Sequence, residues 1–279
     1  MTLANRTWAN KTGPTALTVA RNRAAVMAEL RRLMPGMGEE RKALPFGLGT
    51  IDSHLPDGGL TCGALHEVVP QAESCIAAAF GFIAAILGRL TCPLVFVMPA
   101  HGLRPYRPHG RLHGHGLNAL GLDPGRLILV ETAHRKETLW AMEEAVRSAA
   151  PAAVVGVIDT LDLKLSQRLH LAATEAGLPL FLLRPAPPSP PSPASGGRWG
   201  GGSAAATRWR IGTAKAARDR FGLVTQPRWH LQLERCRNGR PGEWLVEYDH
   251  VAHRFSLAAA LADFSRARGA GEESIKQAS

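Results

Sequence analysis

Between residues 44 and 184, short apolar runs alternate with longer segments of helical composition. The runs are rich in Val, Leu and Ile without strict polar alternation, which is typical of strands buried on both faces of a parallel sheet. Parallel neighbours need crossover connections, and the intervening segments are long enough to be helices. The predicted strands are 64–69, 93–98, 126–130, 152–158 and 179–183, and the predicted helices are 72–90, 136–149 and 164–176. The pattern predicts a doubly wound α/β core with helices on both sides of a mostly parallel sheet.

The segments outside this core differ in composition. Apolar residues recur at spacings of three and four from Leu17 to Met34, which predicts a helix. Three β-like runs, at 204–211, 228–236 and 243–248, follow a stretch of Pro, Gly and Ser, and Asn238-Gly239 joins the last two as a hairpin. The predicted organisation is a disordered tail (1–16), an N-terminal helix and connector (17–43), the α/β core (44–184), a Pro/Gly-rich flexible loop (185–202), strands completing the sheet (203–258), and a short helix with a frayed tail (259–279).

The basic residues are unevenly distributed along the chain. Its net charge is +10, and residues 184–240 carry eleven basic and two acidic side chains. Clustered cations displace condensed counterions from a phosphate backbone, so this segment predicts a polyanion partner. A solvated surface in an arginine-rich protein explains the same charge, because only six of the 33 basic residues are lysine. The charge distribution alone supports a polyanion partner and a solvated surface equally.

The cysteines and the apolar stretches bear on the compartment. The four cysteines, at 62, 75, 92 and 236, form no CxxC pair, which argues against a disulfide scaffold and a zinc finger. The most apolar stretch, 75–87, is interrupted by Gly81 and followed by Arg89, so it predicts a buried helix and not a membrane span. The first residues lack the features of an export signal. We therefore expect a cytoplasmic protein with no membrane partner.

Residues 47–68 follow the pattern G-xxx-I-D-xx-L-xxx-G-L-xx-G-x-L-x-E-V. This pattern resembles the entry into the ATPase core of RecA-type recombinases, where a phosphate-binding loop comes next. Such a loop needs glycines that let backbone N–H groups wrap the phosphates, a lysine on the terminal phosphates and a hydroxyl on Mg²⁺. The resemblance puts Pro70 and Cys75 at the first and last loop glycines, Ile76 at the lysine and Ala77 at the hydroxyl.

The residues at this position lack the chemistry of a phosphate site. Pro70 has no N–H to donate, and Glu73 places a negative charge where a phosphate would sit. No glycine in the chain is followed by lysine, so no second loop substitutes. We expect no nucleotide cofactor and no ATPase activity. The degenerate loop comprises Pro70, Glu73, Ser74, Cys75, Ile76 and Ala77.

The ends of two later strands extend the same resemblance. The segment after 94–98 matches the family's catalytic-glutamate strand through His101, Leu103 and Pro105, and Ala100 occupies the glutamate position. Alanine can neither orient nor deprotonate a water molecule. Asp159, at the end of another strand, resembles the acidic residue on the metal side of the family's site. A helix N-cap is the alternative for this aspartate, and the more frequent one.

A combination of segments is more specific, because each of them alone is weak. The damaged loop, 116–130, 139–145, 203–211, Pro227-Arg228-Trp229 and 244–247 together resemble the ImuA family over roughly residues 17 to 258. The resemblance implies a RecA-like, DNA-damage-inducible accessory factor of the bacterial SOS mutasome. It implies as partners an ImuB-type inactive Y-family polymerase and an error-prone DnaE-type polymerase, with RecA and single-stranded DNA as further candidates. The implied location is the cytoplasm, at the nucleoid after DNA damage.

The basic segment holds the candidate DNA contacts. Alternation along 203–211 puts Trp209 on the core face and Arg208 and Arg210 on the opposite, solvent-accessible face. In the recombinase fold the loop before this strand contacts single-stranded DNA, and a base could stack on Trp199 beside Arg198. A spacer with an incidental aromatic residue explains that loop equally well. The candidates are Arg184, Arg198, Trp199, Arg208, Arg210, Arg228, Arg235 and Arg237, whereas Trp229 and Trp244 are expected to be structural.

Four histidines form the last candidate site. His101, His109, His113 and His115 suggest a zinc site, but no thiolate or carboxylate lies nearby and arginines are interleaved, so we expect a polar loop and no metal.

The leading hypothesis is a non-enzymatic adaptor. The alternatives are a DNA-dependent ATPase or RecA modulator with an atypical loop, and a SulA-like inhibitor of cell division.

Overall fold

A computed structural model describes residues 42–100, 112–184, 203–216, 221–223 and 226–258. Within these ranges one sheet has nine strands in the order β11-β10-β9-β8-β3-β7-β6-β4-β5, and β1 pairs with β2 in a small antiparallel sheet. The strands are β1 Ala43–Leu44, β2 Leu60–Thr61, β3 Leu65–Pro70, β4 Leu94–Pro99, β5 Leu127–Thr132, β6 Ala153–Val157, β7 Leu180–Leu183, β8 Thr207–Ala214, β9 Arg228–Cys236, β10 Gly242–Asp249 and β11 Arg254–Leu257.

The large sheet is parallel on one side and antiparallel on the other. β5, β4, β6, β7, β3 and β8 run parallel, and β9, β10 and β11 follow as antiparallel neighbours. The predicted α/β fold with a mostly parallel sheet is confirmed, and each predicted strand is present within three residues of its expected bounds. The strands after residue 203 join the same sheet as the core.

Helices cover both faces of the parallel strands. They are α1 Gly49–Asp52, α2 Ile76–Leu87, α3 Gly114–Ala119, α4 Arg135–Arg147 and α5 Leu163–Ala176. α2 packs on the face to which β3 and β8 contribute Val68 and Trp209, whereas α4 and α5 pack on the face that carries Leu65 and Leu182. This alternation follows from the two-residue period of strands, and it confirms the doubly wound arrangement. No described helix combines the length and apolar character needed to cross a membrane.

The edge strand β5 corrects one expectation. The sequence predicts strands buried on both faces, but Ile128 is 53% exposed and Leu129 is 42% exposed. Among the described strands β5 pairs only with β4, and it lies at the margin of the sheet, where neighbouring elements cover less of each face. An apolar composition therefore does not distinguish an edge strand from a central one in this chain.

Aromatic side chains from β8, β9 and β10 close the core beside α2. Trp209 is fully buried and lies 5.2 Å from Phe46 and 5.5 Å from Phe82, measured between ring centroids. Trp229 is 6% exposed and stacks on Tyr248. The expected structural roles of these tryptophans are confirmed. α2 approaches Trp229 closely because Gly81 has no side chain, and a Cβ there would lie 3.0 Å from the indole ring.

The predicted hairpin is also present. β9 pairs antiparallel with β10, and Asn238 in the connecting turn has a φ of 63°, a value that Asn tolerates better than most residues. The predictions for 1–16, for the helix from 17 to 34, for the loop 185–202 and for 259–279 lie outside the described residues.

Candidate functional site

The turn after β3 occupies the position of the predicted degenerate loop. β3 pairs with β8 as far as Pro70, and the Gln71 N–H donates to the Ile211 carbonyl at 2.7 Å. A short 3₁₀ turn from Glu73 to Cys75 then leads directly into α2, and the Cys75 N–H donates to the Ala72 carbonyl at 2.9 Å. These two N–H groups are bound to carbonyls of the chain itself. The backbone therefore continues the sheet as far as Gln71 and enters the helix through the 3₁₀ turn.

The side chains of this turn divide between solvent and core. Glu73, Ser74 and Ala77 are exposed. Ile76, at the position of the lysine in the recombinase pattern, is 3% exposed and belongs to the main apolar cluster. A side chain directed into the core has no route to a phosphate outside it, so the first turn of α2 contributes packing at this position.

β8 fills the space beside the turn. The Cys75 Sγ lies 3.6 Å from the Thr213 Oγ1. Burial raises the pKa of the Cys75 thiol, but hydrogen bonds with Thr213, Ala72 and Ser74 together outweigh burial, and the net pKa is lowered. The Gln71 side chain lies over Gly212, where a Cβ would be 1.9 Å from the Gln71 Oε1. The absence of a side chain at Gly212 thus makes room for the turn.

Ala100 and Asp159, the two predicted positions at strand ends, have different surroundings. Ala100 is exposed, and its N–H donates to the Thr132 carbonyl at 2.9 Å. Asp159 is exposed, and its Oδ1 accepts from the Thr160 N–H at 2.6 Å. The N-cap of α5 is Asp162, whose Oδ1 accepts from the Leu165 N–H at 2.8 Å. The N-cap interpretation of Asp159 is therefore wrong, because the helix begins three residues later than that interpretation requires.

A buried carboxylate on β3 organises the nearest arginines. Glu67 is fully buried, and its Oε2 accepts from the Arg208 Nε at 2.7 Å while its Oε1 accepts from the Arg184 Nη1 at 3.4 Å. The side chains of Arg208 and Arg184 are 15% and 12% exposed. A carboxylate enclosed in a sheet needs such partners, because an unpaired buried charge is costly. This cluster joins three neighbouring strands, since Glu67 lies within β3, Arg208 lies near the start of β8 and Arg184 follows β7.

Two further arginines bind the segment that enters β8. Arg235 donates to the carbonyls of Ser203 and Ala205, and Arg237 donates to the Ala204 carbonyl at 3.1 Å. The pKa of Arg235 is lowered, mainly because burial disfavours its charged form and also because Arg208 and Arg237 repel it, whereas Glu67 acts in the opposite direction. The carbonyls of residues 203–205 thus bind guanidinium groups, and β8 begins at Thr207 and not at the predicted residue 204.

The remaining described candidates form ion pairs across the antiparallel strands. Arg210 donates to Glu234 at 2.5 Å, and Arg228 pairs with Glu247. Arg208 and Arg210 do lie on the face opposite Trp209, but the expectation that they are solvent-accessible is wrong, since the Arg210 side chain is only 12% exposed. Their guanidinium groups fold onto glutamates of neighbouring strands, which sequence alternation alone does not reveal.

Other predicted residues fall partly outside the described chain. Arg198, Trp199, His101 and His109 are among the residues that the structure does not describe. The rings of His113 and His115 lie 5.4 Å apart. Among the described residues, no group of three or more His, Cys, Asp or Glu side chains is arranged to hold a metal ion.

Sequence reasoning overlooked two titratable residues within β3. His66 is fully buried, with its Nδ1 2.8 Å from the Thr207 Oγ1 and its Nε2 3.0 Å from the Thr61 carbonyl oxygen. Burial lowers the pKa of His66 to about 4, so its ring is neutral near pH 7. The available signal was a pair of polar residues, His66 and Glu67, inside an otherwise apolar strand, which requires buried partners for both.

Comparisons with known proteins place the chain in a family. No protein-family model matches it. The crystal structure of the RadB recombinase is similar over 77% of this chain and 99% of that chain, with 17% identity and a TM-score of 0.48. Two curated relatives from strains of Caulobacter vibrioides, each named Protein ImuA, are 35% identical over 234 residues, which covers 79% of this chain and 90% of each relative. This chain therefore belongs to the ImuA family.

Proposed function

We propose that this protein is a non-catalytic, RecA-like accessory factor of the bacterial SOS-induced mutasome. It supports error-prone translesion DNA synthesis through protein contacts, in the cytoplasm and at the nucleoid after DNA damage. Its proposed partners are an ImuB-type inactive Y-family polymerase and an error-prone DnaE-type polymerase. Membership of the ImuA family supports the accessory role.

The turn between β3 and α2 is the observation that carries the proposal. Phosphoryl transfer depends on positioning and charge stabilisation by N–H groups, a lysine and a bound Mg²⁺. Here Pro70 has no N–H, the Gln71 and Cys75 N–H groups bind carbonyls of the chain, and Ile76 is buried. Glu73 adds an exposed negative charge. These contacts support a domain that acts through binding and not through hydrolysis.

The arginine contacts favour protein contact over extensive DNA contact. Six described arginine candidates each bind a glutamate or a backbone carbonyl within the chain. The three glutamates Glu67, Glu234 and Glu247 offset half of their charge. A phosphate backbone would have to compete with these contacts for the guanidinium groups. Direct binding of single-stranded DNA is therefore the secondary part of the proposal.

A complementation assay in the bacterium that encodes the chain tests the proposal. The gene is deleted, and the damage-induced mutation frequency is measured after complementation with the wild-type chain or with a Glu73→Ala/Ser74→Ala double variant. Both side chains are exposed, so the fold tolerates their removal. We expect the deletion to lower the frequency and the double variant to restore it fully. Loss of function in the folded double variant would indicate chemistry at the turn and would contradict the proposal.

A further inference from the structure

β5 forms one edge of the large sheet, and its outer side has no neighbour among the described strands. Ile128 and Leu129 lie on opposite faces of this strand, because successive side chains of a strand alternate. They are 53% and 42% exposed, so the flank of β5 is open to solvent on both faces. An apolar, exposed edge is the part of a sheet that pairs most readily with a further strand.

The hydrogen bonds of β5 show which of its backbone groups point outward. The Ala100 N–H donates to the Thr132 carbonyl at 2.9 Å, so the backbone groups of the even-numbered residues of β5 face β4. The backbone groups of the odd-numbered residues therefore point away from the sheet. These residues are Leu127, Leu129 and Glu131.

Two of the outward N–H groups have no acceptor among the described residues. The Leu127 N–H donates to the Pro124 carbonyl within the preceding turn. The N–H groups of Leu129 and Glu131, in contrast, make no hydrogen bond to any described group. An occupant of this edge must therefore offer backbone carbonyls at the spacing of an extended strand.

A second copy of β5 offers carbonyls at that spacing. When two copies run antiparallel about a two-fold axis at Leu129, each Leu129 N–H meets the Leu129 carbonyl of the other copy. Each Glu131 N–H then meets the Leu127 carbonyl of the other copy. Both outward N–H groups of each copy are satisfied in this register, and the Leu127 N–H, which is already bound, is not required.

The side chains match in the same register. Leu129 lies beside Leu129 of the other copy on one face, and Ile128 lies opposite Val130 of the other copy on the other face. Apolar cross-strand pairs of this kind stabilise antiparallel strands. Glu131 is the only charged side chain of β5. It lies opposite Leu127 of the other copy, so no like charges face each other.

We propose that two copies of this chain associate through β5 and join their large sheets into one. One short strand buries less surface than the roughly 1,600 Å² of a standard interface, so we expect a weak dimer with a dissociation constant of roughly 10–100 µM. The inference goes beyond the proposed accessory role and does not depend on it.

Sedimentation equilibrium of the full chain measures this association, over a concentration range of about 1–300 µM. We expect the average mass to rise from 29.9 kDa towards twice that value and to stop there, because an isologous pair is closed. A monomer at the highest concentration would overturn the inference, and any strand on this edge would then belong to a different protein. Growth beyond the dimer would overturn the two-fold pairing.

Charge substitutions at Leu129 test the register. Leu129→Lys places two ammonium groups beside each other at the axis and should weaken association at least about tenfold. Leu171→Lys is the matched control, because Leu171 is a 59% exposed leucine on α5, and it should associate like the wild-type chain. A mixture of Leu129→Lys and Leu129→Glu should associate more strongly than either variant alone, since opposite charges then meet.

Thermal unfolding of each variant checks that the fold is retained. A folded Leu129→Lys variant that associates like the wild-type chain would contradict the proposal. Failure of the mixture to associate more strongly than its components would contradict the two-fold register.

Residue-resolved hydrogen exchange tests the backbone contacts in the wild-type chain. The Leu129 and Glu131 N–H groups should exchange at least about threefold more slowly at the highest concentration than at the lowest, because pairing protects them. Exchange rates that do not change with concentration would overturn the inference even if the chain were dimeric.

The accessory role and the pairing of β5 fail separately. A monomeric chain that restores damage-induced mutation would overturn the pairing and leave the accessory role standing. A chain that dimerises through β5 but does not restore mutation would do the reverse.

Discussion

The buried Glu67 cluster allows a quantitative prediction. Glu67→Gln keeps the volume of the side chain and removes its charge, which leaves Arg184 and Arg208, 12% and 15% exposed, without their shared carboxylate. Removing one partner of a buried ion pair typically costs 3–5 kcal/mol. Because both guanidinium groups retain some solvent, we expect about 3 kcal/mol, a large fraction of the roughly 5–15 kcal/mol that stabilises a typical domain.

Urea unfolding of the full chain, followed by circular dichroism, measures this cost. The matched control is Glu243→Gln on β10, whose side chain is 59% exposed and pairs with His230, and which should cost less than about 1 kcal/mol. Adding Arg208→Met to Glu67→Gln should recover part of the loss, since the substitution removes a largely buried charge that has lost the Glu67 carboxylate. A cost for Glu67→Gln no greater than that for Glu243→Gln would refute the assigned role of this cluster.

Three further predictions follow from contacts elsewhere. Burial lowers the pKa of His66 from 6.5 to about 4, so the unfolded chain binds a proton at a higher pH than the folded chain does. The free energy of unfolding should therefore fall by about 3 kcal/mol as the pH drops from 6.5 to 4. The His66→Gln variant should lack this pH-dependent loss when unfolding is measured at pH 7, 5.5 and 4. Gly88→Ala should destabilise the fold by about 1–3 kcal/mol, because its Cβ would lie 2.7 Å from the Gly121 carbonyl oxygen. Gly116→Ala is the control and should not destabilise the fold, because a Cβ there meets nothing within 4 Å. Equal melting temperatures for the two variants would contradict the predicted clash at Gly88. If single-stranded DNA binds directly at β8, Arg210→Gln should reduce the salt dependence of the oligo-dT affinity, measured by anisotropy, by about one phosphate contact. An unchanged slope of log affinity against log salt concentration would exclude that contact. Arg208→Glu is a poor probe of DNA binding, since it would place a second carboxylate beside Glu67.

The sheet was predictable because strands and helices differ in local periodicity. Apolar runs located the parallel strands, and Asn238-Gly239 located the hairpin. The partners of Glu67 were not predictable, because Arg184 and Arg208 are 117 and 141 residues away in sequence. Alternation correctly assigned the face of Arg208 but could not indicate that the side chain pairs with a buried glutamate.

At the candidate site, too, contacts between residues that are distant in sequence were not predictable. The residue types at 70–77 predicted the loss of phosphate ligands, but the burial of Ile76 and the hydrogen bond from Gln71 to Ile211 depend on β8, which comes more than 130 residues later. Likewise, the composition of α4 gives no sign that Trp140 remains exposed beside α5. Such properties arise from packing between distant segments.

Isothermal titration of the full chain with ATP and Mg²⁺, coupled to a phosphate-release assay, tests the non-catalytic account most directly. We expect no saturable heat up to about 1 mM nucleotide and no phosphate release above the buffer control, because Ile76 and Ala77 stand where a phosphate site needs its lysine and its magnesium-binding hydroxyl. Micromolar binding with turnover that disappears in the Glu73→Ala/Ser74→Ala variant would contradict the account.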